Sequence, residues 1–350
     1  MAMTQTSDRS KTVSNWLLLC CAMIFCMVII GGITRLTESG LSITEWKPIA
    51  GAIPPMNDGE WAAEFDKYKQ IPEYQTINKG MSLEAYKKIF FWEYLHRLWG
   101  RLIGLVFFVP MVFFWMRGYL RPEWKKPIAA ILALGFAQGF LGWFMVQSGL
   151  SQNVDVSQYR LTAHLSLAAL IYAACFWMAL RIRTESQPLP ADHFVSRIWP
   201  LIMMFILVFA MGGFMAGTDA GLLYQTFPTY NGLWIPDGLL AASPWWINIF
   251  ENTTTIHFLH RTLAILFIAA VWIYGVRLWR QRPPRPVKVA LIHVMVMSLL
   301  QALLGIATIA TKLHLHVAVT HQAGGMIMLT FLLWLGFALS RYAAKTPRAT

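Results

Sequence analysis

Glu93-Tyr94-Leu95-His96-Arg97-Leu98-Trp99-Gly100-Arg101 stands at the mouth of an apolar run that extends from Ile89 to Trp115. A carboxylate, an imidazole and two guanidiniums thus enter a segment that otherwise belongs in lipid. Each such group costs about 2.5–3.5 kcal/mol at the centre of a membrane helix, so ionisable residues rarely appear there without a task. The same wording returns as His257-Phe258-Leu259-His260-Arg261-Thr262-Leu263, at the start of a second apolar run.

Composition agrees with a membrane setting. The 350 residues are 57% hydrophobic and 13% charged, whereas a soluble domain is about half apolar and a quarter charged. The chain is therefore expected to be an all-α integral membrane protein. Its net charge of +12 does not indicate nucleic acid, because the basic residues lie in short loops between apolar runs, where the positive-inside rule puts them. Cys20, Cys21, Cys26 and Cys175 all fall inside apolar runs with no Cys-x-x-Cys spacing. They read as small buried hydrophobes, neither a disulfide framework nor a metal cage.

Eight runs are long enough, at about 20 residues, to cross a bilayer. They are Trp16–Ile33, Ile89–Trp115, Ile128–Val146, Leu161–Leu180, Ile198–Ala216, Thr255–Tyr274, Val287–Ile309 and Val317–Leu339. The first is long for a signal-peptide core and lacks a small-residue cleavage site, so it reads as a retained helix. Arg and Lys crowd the two tails and the connections between runs two and three, four and five, and six and seven. This bias puts both termini of a multi-pass membrane protein in the cytoplasm. The segment Thr34–Lys88 forms a small outer cap, with a short helix expected near Asp58–Lys69.

The chain repeats itself. Gly31-Gly32-Ile33-Thr34-Arg35 through Gly40-Leu41 matches Gly212-Gly213-Phe214-Met215-Ala216 through Gly221-Leu222, and Gln138-Gly139-Phe140-Leu141-Gly142 matches Gln301-Ala302-Leu303-Leu304-Gly305. His96-Arg97 matches His260-Arg261, and Thr162-Ala163-His164 matches Val319-Thr320-His321. Each match falls in the same helix of its half, so the expected architecture is two tandem four-helix bundles related by an internal parallel repeat. The first unit spans residues 16–182 with the outer loop 34–88, and the second spans 198–340. A cytoplasmic linker, 183–197, joins them, and cytoplasmic tails occupy 1–15 and 341–350.

Of nine histidines, His193, His314 and His316 read as loop residues and His293 as a packing residue. The other four, His96, His164, His260 and His321, lie near the start of even-numbered helices, at a similar depth near the outer surface. A haem iron accepts two opposed imidazoles, and four-helix bundles place cofactor ligands on facing helices. Each half thus offers one bis-histidine haem site, His96 with His164 and His260 with His321. The alternative is interfacial histidines inherited by duplication. Zinc or copper would lack a third ligand, unless His257 beside His260 served. Glu93, three residues before His96, shares a helix face with it, and its counterpart is His257. Glu93 either meets a haem edge or pairs with Arg97 or Arg101. Arg35 is a candidate partner for a propionate, and its counterpart is Ala216. The tryptophans Trp92, Trp99, Trp143, Trp234, Trp245 and Trp246 read mostly as an interfacial belt.

Across essentially its whole length the chain resembles the haem A synthases of the α-proteobacterial and mitochondrial type. The words that carry the likeness are Gly31-Gly32-Ile33-Thr34-Arg35-Leu36-Thr37-Glu38-Ser39-Gly40-Leu41-Ser42, Glu45-Trp46-Lys47-Pro48-Ile49-Ala50-Gly51-Ala52-Ile53-Pro54-Pro55, Glu93-Tyr94-Leu95-His96-Arg97 and Thr226-Phe227-Pro228-Thr229-Tyr230-Asn231-Gly232-Leu233-Trp234-Ile235-Pro236. The resemblance implies an oxidoreductase that converts haem O to haem A. A ring methyl becomes a formyl group through a hydroxymethyl intermediate, with oxygen drawn from water, for use in cytochrome c oxidase. It implies a resident haem b on the C-terminal pair, His260 and His321, and substrate haem O on the N-terminal pair, His96 and His164. Given that reaction, the position of Glu93 on the face of His96, with no carboxylate counterpart in the other half, makes it the candidate catalytic carboxylate. It also implies haem O synthase, the cytochrome c oxidase assembly machinery and membrane lipid as partners, and leaves a homo-oligomer open. Some members carry a cysteine pair in the first outer loop; this loop has none. Two other functions compete: a di-haem cytochrome b that only relays electrons, and a haem carrier, since internal repeats are common in transporters.

The charge bias predicts that reporters fused after residue 70 and after residue 240 both register on the outer side of the membrane. A cytoplasmic signal at either position overturns the orientation.

Overall fold

The computed structural model describes residues 2–47, 49–151, 154–184 and 193–343. Among them the secondary structure is helical, without a strand, and eight helices are long and apolar enough to span a bilayer. These are α1 (Ala2–Leu36), α4 (Leu83–Met116), α5 (Pro122–Ser151), α6 (Gln158–Thr184), α7 (His193–Gly217), α9 (Thr253–Arg280), α10 (Arg285–Ala310) and α11 (Leu315–Ala343). Three short helices, α2 (Asp58–Tyr68), α3 (Pro72–Thr76) and α8 (Asn248–Glu251), lie in the long connections. The chain is a multi-pass membrane protein.

Helices α1, α6, α7 and α11 form the centre. Helix α1 packs on α4, α6 and α11, and α7 packs on α9, α11 and α6. Each of these contacts has its counterpart in the other half, as a parallel repeat requires. The halves meet where small residues let backbones approach. Gly32 of α1 faces Gln322 of α11, whose side-chain amide donates to Val28 O at 2.9 Å. Gly213 of α7 faces Thr162 of α6 in the same way. Tyr172 and Thr330 share a 2.7 Å hydrogen bond between α6 and α11, and Trp177 meets Phe337 edge-on. In lipid, association rests on such packing and polar contacts rather than on hydrophobic burial.

The helices run past the apolar stretches because polar caps, not hydropathy, end them. Ser82 accepts from Ala85 N to start α4, and Asn252 accepts from Thr255 N to start α9. The expected place of His96 in the first few residues of its helix is corrected accordingly. His164, His260 and His321 lie within about two turns of their helix starts, but α4 begins at Leu83 and runs roughly three and a half turns before His96. That first stretch of α4 carries the outer cap. His316 falls in the first turn of α11 and His193 opens α7, so neither is a loop residue, whereas His314 is. Cys20, Cys21 and Cys175 are buried and Cys26 is exposed, all as free thiols. The expected N-terminal tail is helical from Ala2, and the linker shortens to the segment after Thr184. Residues 185–192 of that linker, and Lys345 and Arg348 of the C-terminal tail, lie outside the described residues.

The expected helix at 58–69 is α2; α3 follows it unannounced. Asn57 and Glu60 form a reciprocal N-terminal box for α2: Asn57 Oδ1 accepts from Glu60 N at 2.9 Å and Glu60 accepts from Met56 N at 2.7 Å. The cap has its own small core of Leu41, Phe65, Tyr68, Ile71, Tyr86 and Phe90. Inside it Glu73 accepts from Tyr68 Oη at 2.7 Å and from Asn78 Nδ2 at 3.2 Å.

Burial raises the Glu73 carboxyl to about 7, against the Tyr68 hydrogen bond that lowers it. Its neutral form is therefore the one the folded cap prefers. Sign follows from linkage: the folded state holds more protons than the unfolded between pH 4.5 and about 7, so stability falls as pH rises through that window. Glu45, held low by Lys47 and Lys67, has the opposite sign below its ordinary range, but it is half-exposed and contributes little. Hydrogen exchange across residues 58–76 should accelerate from pH 4.5 to 7 beyond its intrinsic rate, and Glu73→Gln should flatten the effect. An equal pH response in that variant contradicts this account.

Candidate functional site

Each of the four histidines lies against a glycine of the neighbouring helix. A Cβ placed on Gly31 would stand 3.3 Å from the His96 ring, and one on Gly212 would stand 3.3 Å from the His260 ring. The corresponding distances are 2.9 Å for Gly142 to His164 and 3.1 Å for Gly305 to His321. Gly31 and Gly212 occupy matching positions of the repeated words, as do Gly142 and Gly305. The same duplication holds one step further out: Gln138 Nε2 donates to His164 O at 3.1 Å, and Gln301 Nε2 donates to His321 O at 2.7 Å. All four rings are half-buried. His96 lies within electrostatic reach of His164, and His321 of His260.

Ring nitrogens are left for a ligand. His260 Nδ1 faces Val208 O at 3.2 Å. A carbonyl only accepts, so Nδ1 carries the proton and Nε2 presents a lone pair. The Nδ1 atoms of His164 and His321 are buried without a hydrogen-bond partner. Among the described residues no three of His, Cys, Asp and Glu converge as a metal-holding group. The donor set is two imidazoles per half, which fits a flat iron macrocycle and lacks the further ligands zinc takes.

The helices that carry His96 and His260 each show two working stripes. On α4, His96, Trp99 and Gly100 face α1: Trp99 Nε1 donates to Met23 O at 2.9 Å and Gly100 approaches Met27. On the adjoining stripe, Glu93, Arg97 and Arg101 repeat every four residues and hold the outer loop. Glu93, only 3% exposed, accepts from Ser42 Oγ and Ile43 N, both at 2.7 Å, through one oxygen. Its other oxygen accepts twice from Arg97, at 2.6 and 3.0 Å. Arg97 also donates to Ile43 O at 2.7 Å and Glu45 O at 3.0 Å, and Arg101 to Lys47 O at 3.0 Å. The structure thus brings Glu93 to Arg97 and to the loop.

On α9 the pattern recurs with other chemistry. His257, fully buried, meets Ala220 O at 2.9 Å through Nδ1 and leaves Nε2 without a partner. Arg261 donates to Pro228 O at 2.9 Å and stacks over the Tyr230 ring at 4.0 Å. Arg35, at the end of α1, makes a two-pronged 3.0 Å ion pair with Asp219 of the other half. His293 packs between Phe331 and Trp334, away from the four. Trp234, Trp245 and Trp246 are exposed on the second outer loop.

Sequence reasoning found the four histidines but passed over their seats. Gly142 and Gly305 were visible as the last letters of the repeated Gln-x-x-x-Gly word, and Ser42 stood inside a quoted motif. Nothing in the sequence linked Asp219 to Arg35.

Eight spanning helices whose contacts match between the two halves, with two glycine-seated histidines in each half, define a class of multi-pass helical membrane protein. The cytochrome oxidase assembly protein family, COX15-CtaA, matches residues 14–333, and the chain belongs to that family. It is 46% identical to a haem A synthase of Agrobacterium fabrum over 338 residues, 95% of this chain and 92% of the relative. It is 44% identical to those of Rhodospirillum centenum and Nitrosomonas eutropha, over 93% and 94% of this chain and 87% and 94% of theirs.

The glycine seats predict their own test. Gly212→Leu and Gly305→Leu should strip most of the haem absorbance from purified protein by driving a side chain into the imidazole. Gly135→Leu, with open space around its Cβ position, should keep it. Full haem in the first two variants refutes the seating.

Proposed function

We propose that this chain is a haem A synthase that oxidises a ring methyl of haem O to a formyl group through a hydroxymethyl intermediate. Water supplies the oxygen, and the product serves cytochrome c oxidase assembly. The observation that carries the reading is the pair of matched bis-histidine sites in a chain related nearly end to end to proteins of that name. His96 and His164 hold the substrate haem. His260 and His321 hold a resident haem b, which when bound supplies one-electron redox chemistry. The Val208 carbonyl orients His260 for that ligation. Two four-helix units divide the labour, in the inner membrane, with both termini cytoplasmic. Haem O synthase stands upstream.

Two assigned side chains carry a second reading. Glu93 is proposed as the carboxylate that stabilises positive charge developing at the ring methyl and accepts a proton from the attacking water. Its four hydrogen bonds favour a clamp that fastens residues 42–45 over the site. Removing one member of a buried ion pair costs about 3–5 kcal/mol, because the other charge is left uncompensated. Arg35 is proposed to meet a propionate. Its pair with the half-exposed Asp219 is worth only about 0–1 kcal/mol, so a propionate can displace it.

The test is co-expression with a haem O source and chromatography of extracted haems. Haem A or its hydroxylated precursor is the expected product; unchanged haem O overturns the reading in favour of a relay or carrier. Glu93→Gln should accumulate haem O or the hydroxylated intermediate, with Glu93→Asp partly active. Ser42→Ala separates the roles. It keeps the carboxylate and loosens the clamp, so retained haem A formation supports the catalytic role and parallel loss supports the clamp.

A further inference from the structure

We propose that the Lys/Arg-rich end of the α9–α10 pair is a binding site for one anionic phospholipid, its acyl chain in the cleft between the helices and its phosphate against Arg277 and Arg280. The cleft is a cavity of about 450 Å³ lined by Trp272, Gly275, Val276, Trp279, Met295 and Arg280. A second hollow of about 370 Å³, sharing Trp272, Val276 and Arg280, brings in Arg277. Apart from the two guanidiniums the lining is apolar, which suits a hydrocarbon chain ending in a charged head. The cleft is structured. Gly275 lets the Met295 sulfur approach to 2.7 Å of its Cβ position and so closes one side, and Trp272 is fixed by a 3.3 Å bond to Ser298 Oγ. Lys288 stands 5.7 Å from the centre of the Trp279 ring, at the mouth.

Charge complementarity names the occupant. Arg277, Arg280, Arg282, Arg285 and Lys288 fall within twelve residues, and the chain has no Asp or Glu after Glu251. Among the described residues none of these five cations has a carboxylate partner within ion-pair distance. The matching connection in the first half carries Glu123 among its cations. Basic pockets between membrane helices on the cytoplasmic side are where anionic headgroups are held. The site lies about 18 Å (Trp272) to 30 Å (Arg280) along α9 from His260, so its cationic end is well separated from the histidines.

The test uses delipidated full-length holoprotein in a nonionic detergent, with native mass spectrometry after addition of dioleoyl phosphatidylglycerol, dioleoyl phosphatidylcholine or inorganic phosphate. One phosphatidylglycerol should bind tightly and phosphatidylcholine about tenfold more weakly, while phosphate should not compete. Arg277→Gln with Arg280→Gln should weaken phosphatidylglycerol about 30-fold. Val276→Trp should also weaken it by filling the cleft, and Arg117→Gln with Lys126→Gln should not. Haem absorbance reports that each variant is folded; if the arginine variant loses it, Val276→Trp decides. Equal retention of phosphatidylcholine, displacement by free phosphate, or unchanged binding in the arginine or Val276→Trp variant overturns the proposal.

Discussion

An imidazole seated on a glycine is the contact on which the rest of this molecule depends. A histidine that presents its nitrogen into a helical bundle must bring its own helix close to a neighbour, yet keep that neighbour's side chains out of the plane its ligand will occupy. Glycine is the residue that allows both. The close approach recurs four times, between α1 and α4, α5 and α6, α7 and α9, and α10 and α11. In each case it brings the two helices close at the end that carries the histidines. Farther along, Phe107, Met111 and Phe114 on α4, with Leu17 and Cys20 on α1, close into ordinary apolar packing. The bundle is thus tight at one end and shaped around four rings at the other.

The halves are alike in element order and helix contacts, and a few positions depart from that likeness. Glu93 and His257 occupy equivalent positions, and each fastens its helix to the segment after α1 or α7. The first does so with a charge-assisted network, the second through a neutral ring bonded to one carbonyl. A carboxylate shared between a guanidinium, a hydroxyl and a backbone N–H has its buried oxygens satisfied by donors on both sides. The loop it holds, 42–47, is the floor of the outer cap. The cap and His96 are therefore joined through α4. Arg35 and Ala216 repeat the lesson: Arg35 reaches Asp219 of the other half, and Ala216 has no charge with which to do the same.

Hydropathy and the Lys/Arg bias made the eight spans legible, since lipid leaves few alternatives to a run of about 20 apolar residues. The repeated words made the histidines legible as pairs, because a duplicated polar residue in an apolar run has few structural excuses. The helix ends were not legible, since Ser82 and Asn252 act as caps through local geometry that hydropathy ignores. The clamp was half legible: Arg97 stood four residues after Glu93, but its other acceptors are the carbonyls of Ile43 and Glu45, and backbone acceptors leave no mark on a sequence. The Arg35–Asp219 pair joins residues from opposite halves, a proximity no local pattern encodes.

The central claim is two bis-imidazole sites, one in each half. Low-temperature electron paramagnetic resonance of the oxidised protein, purified with its resident haem and loaded with haem O, addresses it directly. The account predicts two low-spin ferric signals, one lost on changing His260 or His321 to Ala and the other lost on changing His96 or His164 to Ala. One signal that survives all four substitutions, or a signal that depends on one histidine from each half, contradicts it.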